Sequence, residues 1–198
     1  MGSGAYRGVQ VADGPLNAAG VRPRRFTGRA FPPYRHLPGA TPHPLTDPAG
    51  HGGVLASAPD SPEQLRVCFL LGCDLYNHGY WWEAHEAWEA VWHAVNRTGT
   101  RGALLQALIQ AGNAHLKLRM KRGNAVARLR SAVMEHLARI RSTPDTVCLG
   151  IDVIAWSEQF DAYIETRLSR AALCHDVAGF PYLEPDVTDS ELFQDRRV

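Results

Sequence analysis

From Ser61 onward the apolar residues return every three to four positions, whereas residues 1–60 show no period at all and hold nine of the thirteen prolines. Proline fixes φ and lacks a backbone donor, so the first sixty residues read as an extended arm rather than as helix or central strand. The change of texture comes at Ser61-Pro62-Glu63-Gln64, which supplies an N-cap, a proline at the first helical position and an acid in the first turn. A helix is predicted from there to about Tyr76, stopped by Asn77-His78-Gly79. A second spans Tyr80 to about Asn96. A third runs from about Gly102 to Lys121 and a fourth from about Ala125 to Arg141, parted by Gly123-Asn124. The fifth covers about Asp152 to Arg170. No β-alternation stands out, and short connections make successive helices antiparallel neighbours. The expected fold is an all-α, compact antiparallel bundle of about five helices. The expected division is an arm over 1–60 docked on the bundle, the bundle over 61–172, and an irregular acidic tail over 173–198.

The second helix concentrates the unusual residues: YWWEAHEAWEAVWH, residues 80–93, holds four of the five tryptophans. With about 100° of turn per residue, Trp81, Ala84, Trp88 and Trp92 form one apolar stripe, and His85 and Glu89 stack one turn apart on its edge. Glu83 and Ala90 point the opposite way, toward solvent on this projection. Trp82, Glu86 and His93 share a third direction. A carboxylate beside indoles needs a partner. His85 and Glu89 can satisfy one another by a hydrogen bond, or both can bind one metal ion, zinc or manganese, through imidazole and carboxylate at i, i+4. The spacing H-E-x-x-E lacks the second histidine of the zincin motif, and Trp82 stands where a di-iron bundle would place its Glu. In the third helix, His115 falls in an apolar stripe with Leu104, Leu108, Ala111 and Leu118, while Gln106, Gln110, Asn113 and Lys117 gather on another face.

Charge narrows the choice of partners. The net charge is +1, so no field of the whole chain recruits nucleic acid or an anionic membrane. Residues 111–141 carry eight Lys/Arg against Glu135, and residues 142–198 carry eleven Asp/Glu against four Arg. A basic run followed by an acidic one pairs most simply as neighbouring helices. Nucleic-acid binding through the basic segment rests on charge alone, without interleaved aromatics. The acidic side of helix five, with Asp152, Glu158, Asp161 and Glu165, faces either its own basic helices or another copy of the chain. Cys68, Cys73, Cys148 and Cys174 form no C-x-x-C pair and are expected as reduced thiols. No run approaches the roughly 18 apolar residues of a membrane helix. The expected location is the cytoplasm.

The run Phe69 to Glu89, FLLGCDLYNHGYWWEAHEAWE, followed by Leu104-Leu105-Gln106-Ala107-Leu108-Ile109-Gln110 and Arg122-Gly123-Asn124, resembles the bacterial domain of unknown function 309 family over about residues 61–141. The family pattern reads roughly F-N-x-G-x-Y-W-E-A-H-E-x-W-E, then L-x-Q-x-L-I-Q and a late G-N. Tyr76 departs from its common Phe, and Ala107 from its common Gly. The resemblance implies a compact all-α bundle and no established activity. Residues 38–51, PGATPHPLTDPAGH, resemble an arm carried by longer members.

Two kinds of function follow. In the first, His85, Glu86 and Glu89 are the catalytic or ligating groups, with His43, Asp47 and His51 of the arm as further metal ligands laid over the pocket. Such a set would hold a divalent metal and activate water. Tyr76, Asn77, Trp81, Trp88, Gln110 and His115 would line a place for a small planar molecule. In the second, the same polar residues only fix packing, and function lies in a partner surface.

Overall fold

The computed structural model describes residues 23–95, 97–169, 179–188 and 193. Five helices follow in order: α1 (Pro62–Asn77), α2 (Trp81–Ala94), α3 (Thr100–Arg119), α4 (Gly123–Arg141) and α5 (Val153–Leu168). The chain is a mainly helical, all-α bundle in which each helix packs on the next. Expected positions 1–22 of the arm, Arg170 at the end of helix five, Cys174 and most of the tail lie outside the described residues.

The helix ends follow their sequence signals. Ser61 has extended backbone and its hydroxyl accepts from the Gln64 N–H at 3.2 Å, with Pro62 in the first turn. Gly79, at φ 81°, makes the turn between α1 and α2. Between α4 and α5 the structure adds what the sequence did not suggest, an antiparallel pair of two-residue strands, β1 (Val147–Cys148) and β2 (Ile151–Asp152). Strands this short have no room to alternate. Leu149 and Gly150 both have positive φ, 47° and 69°, as a tight hairpin turn requires. Asp152 then caps α5, accepting from the Ala155 N–H at 3.0 Å.

The core gathers the apolar stripes of all five helices. Trp88 is fully buried and its indole N–H donates to the Phe69 carbonyl at 3.2 Å. The indole lies against Gly72 so closely that a Cβ there would sit 2.3 Å from Nε1. Gly72 therefore sets how near α1 approaches α2. On the far side Arg130 of α4 grips both carboxylate oxygens of Asp161 at 2.6 and 2.9 Å and contacts Glu165, so the basic and acidic runs pair between α4 and α5. No helix among the described residues is long and apolar enough to cross a membrane.

The extended segments lie on this bundle. Asp74, fully buried at the end of α1, accepts from the backbone N–H groups of Phe26 and Thr27 at 2.7 and 2.8 Å and from the Thr27 hydroxyl at 2.6 Å. The Phe31 ring sits 4.9 Å from His78 and 5.0 Å from Tyr80. On another side Asn77 clamps Leu183 through both of its backbone groups, at 2.7 and 2.9 Å. Phe193 packs 5.8 Å from Phe69.

Candidate functional site

Helix α2 presents two polar faces, and the structure treats them differently. The face carrying Glu83 is covered. Its carboxylate is 0% exposed, accepts the His36 N–H at 2.7 Å and lies 3.2 Å from His51 Nε2. This corrects the solvent-facing direction expected for Glu83: the projection was sound, but residues 34–51 occupy that direction. His36, His43 and His51 stand around the Trp82 ring with centroids 5.3, 5.7 and 6.4 Å away. The segment is closed on itself by Asp47 N–H to the His43 carbonyl at 3.1 Å and Gly52 N–H to the Pro44 carbonyl at 2.9 Å. Tyr34 joins the two ends, donating its hydroxyl to the Pro42 carbonyl at 3.1 Å and accepting from the His51 N–H at 3.2 Å.

Burial pushes the Glu83 carboxyl above its ordinary range, against the pull of the His36 N–H and of His51. Burial likewise lowers His36, with the neighbouring charges of His43 and His51 acting in the same sense and the Pro42 carbonyl opposing. Glu83 Oε2 has no hydrogen-bond partner among the described residues.

The other face is half-open. His85, Glu86 and Glu89 each offer a ligand atom, and these atoms lie within 4.8 Å of one another. His85 Nε2 is 3.6 Å from Glu89 Oε2, and His93 reaches the same carboxylate at 3.9 Å from the next turn. His85 Nδ1 faces the side-chain amide of Asn113 on α3 at 3.1 Å. Burial pushes the Glu86 carboxyl up; His85 pulls it down, Glu89 pushes it up, and His43 and Glu83 add smaller opposite effects. Carboxylate and imidazole at this spacing suit a borderline cation such as zinc, or manganese with more oxygen ligands.

The residues expected to act together divide into three groups. His85, Glu86 and Glu89 share one edge. His51 sits instead on Glu83, while Asp47 is exposed and accepts the N–H of Ala49 at 2.9 Å within its own turn. His43 Nδ1 accepts long bonds from Leu45 N–H and Thr46 N–H at 3.3 and 3.4 Å, which keeps that nitrogen bare. The arm therefore brings His43 beside the Glu86 edge without supplying a ligand atom to that group. The third group is interior. Tyr76 and His115 are both fully buried and bond at 2.8 Å, and Trp81 stacks on the imidazole at 5.5 Å with Phe160, Tyr163 and Phe180 around it. Trp88 and Asn77 belong to the packing already described. Gln110 is half-buried on α3, three residues before Asn113.

Sequence reasoning passed over Asp74 and His36, and named Asn113 only within a group of amides that could face solvent or bond the polar edge of the second helix. Asp74 carried a usable signal, since it is the one charge inside the apolar run Phe69–Tyr76. Asn113 was visible only as one amide among several.

The domain of unknown function (DUF309) profile matches residues 69–129, from within α1 to the first part of α4. It takes in Asp74, Glu83, His85, Glu86, Glu89 and Asn113, and leaves out the segment that covers Glu83. Comparison with curated proteins and with solved structures gives no match. The central helices, residues 69–129, are thus similar to the domain of unknown function 309 family.

Proposed function

We propose that this protein binds one divalent metal ion, zinc or manganese, on the half-open edge of α2 through His85, Glu86 and Glu89, with coordination positions left for water or a small ligand. The observation that carries the proposal is the 3.6 Å between His85 Nε2 and Glu89 Oε2. That separation is long for a hydrogen bond. Two ligands of one tetrahedral ion, each at about 2.1 Å, stand about 3.4 Å apart. The pair is therefore spaced for an ion more nearly than for a shared hydrogen. Glu86 must swing to close the set, which a half-buried side chain on a helix surface can do.

A bound ion with an open position would activate a water for hydrolysis. The chain's own residues then have definite tasks: Glu89 and Glu86 neutralise the cation, and His85 anchors it. A second reading, a non-catalytic helical module, is favoured by the buried interior, where Tyr76 bonds His115 and Asn77 bonds Leu183. Elemental analysis of untagged protein purified without chelator separates the two. Near-stoichiometric zinc or manganese, lost in a folded His85→Ala variant, is the expected result. Absence of metal after reconstitution with either ion would remove the first reading and leave the module.

A further inference from the structure

The two ring nitrogens of His85 face different elements. Nδ1 lies 3.1 Å from the amide nitrogen of Asn113 on α3, and Nε2 lies 3.6 Å from Glu89 Oε2. An amide N–H only donates. With Asn113 in this orientation Nδ1 must keep its lone pair bare, and a neutral ring carries its hydrogen on Nε2, aimed at Glu89. Such a ring cannot ligate a metal through Nε2.

A metal between His85 and Glu89 needs the opposite tautomer, with the hydrogen on Nδ1 and an acceptor beside it. Asn113 holds that acceptor already. Half a turn about its last side-chain torsion exchanges Nδ2 for Oδ1 with almost no change of shape, and that torsion is broad and nearly two-fold. The backbone beneath it is fixed: a Cβ at the neighbouring Gly112 would stand 3.1 Å from the Trp81 carbonyl oxygen, so α3 is already seated closely on the start of α2.

We propose that Asn113 is the positioning residue of this edge: the orientation of its amide selects the tautomer of His85, and through it whether the edge holds a His85–Glu89 hydrogen bond or a divalent cation. Only the second half of this statement rests on the metal reading; the first concerns the metal-free ring.

The test uses the full chain and two substitutions. Asn113→Asp presents only acceptors to Nδ1 when ionised, and Asn113→Leu presents nothing. Side-chain 15N spectra of the metal-free protein at mildly alkaline pH report which ring nitrogen is bare. The expected result is a bare Nδ1 in the unaltered protein and a bare Nε2 in Asn113→Asp. Zinc titration should then find Asn113→Leu weaker by about ten-fold or more, the usual cost of losing an outer partner of a ligating histidine, and Asn113→Asp at least as tight as the unaltered protein. A residue that merely packed would leave the tautomer unmoved, so an identical tautomer in all three proteins overturns the inference even if zinc binds. A tautomer that follows residue 113 in proteins that bind no zinc upholds the positioning role and removes the metal reading alone.

Discussion

Glu83 and Glu89 lie on the same helix six residues apart, and they have opposite surroundings. Glu83 is sealed under residues 34–51, bonded to a backbone N–H and close to an imidazole. Glu89 is 44% exposed at its side chain and stands between two histidines at distances too long for strong hydrogen bonds. A carboxylate closed in this way serves docking, because removing either partner strands the other. A half-open carboxylate held only by long contacts to two imidazoles is available to a further partner. The contrast shows that residue type and helical spacing do not separate a structural acid from a ligating one; what covers each does.

The largest expected effect comes from breaking the covered side. Glu83→Ala leaves the His36 N–H and His51 Nε2 facing a void, and should cost about 2–4 kcal/mol in denaturant unfolding. Glu89→Ala should stay within about 0.5 kcal/mol, as a partly exposed side chain with only weak contacts does. Equal losses would erase the distinction between the two faces.

A smaller effect follows from two buried histidines, His36 over Glu83 and His78 at the end of α1. His36 and His78 are both lowered by burial, so an unfolded chain takes up their protons first. Their share of stability is complete above the ordinary imidazole value near 6.5 and is lost as pH falls below it. Glu83, raised by burial, acts in the opposite sense, its contribution being lost as pH rises through its elevated value. Thermal unfolding between pH 7.5 and pH 5.5 (a span set by the ~6.5 reference for histidine) should therefore show a decline that shrinks in His78→Gln. An unchanged slope in that variant would mean that its burial does not tax the proton.

The comparison also marks how far the amino-acid sequence reaches. The helices were legible because Ser61-Pro62, Gly79 and Gly123 act locally, within a turn of the ends they define. The pairing of His85 with Glu89 was legible for the same reason, being one turn of one helix. The burial of Glu83 was not, because its cover comes from His36 and His51, 47 and 32 positions earlier in the chain. No period within α2 carries that information. The hairpin was hidden by its shortness, and its turn depends on Leu149 taking a positive φ that few leucines adopt. Asn113 lay between these limits: its place on a polar face of α3 was readable, but its meeting with His85 Nδ1 required the packing of α3 on α2.

The most direct measurement is a zinc titration of three folded proteins by calorimetry: the unaltered chain, Glu89→Gln and Glu83→Gln. If the open edge of α2 is the ligating one, Glu89→Gln weakens binding by at least about ten-fold, since a neutral amide replaces a carboxylate ligand, while Glu83→Gln binds as the unaltered chain does. Binding that survives Glu89→Gln and disappears in Glu83→Gln would contradict this assignment and move the site beneath the arm.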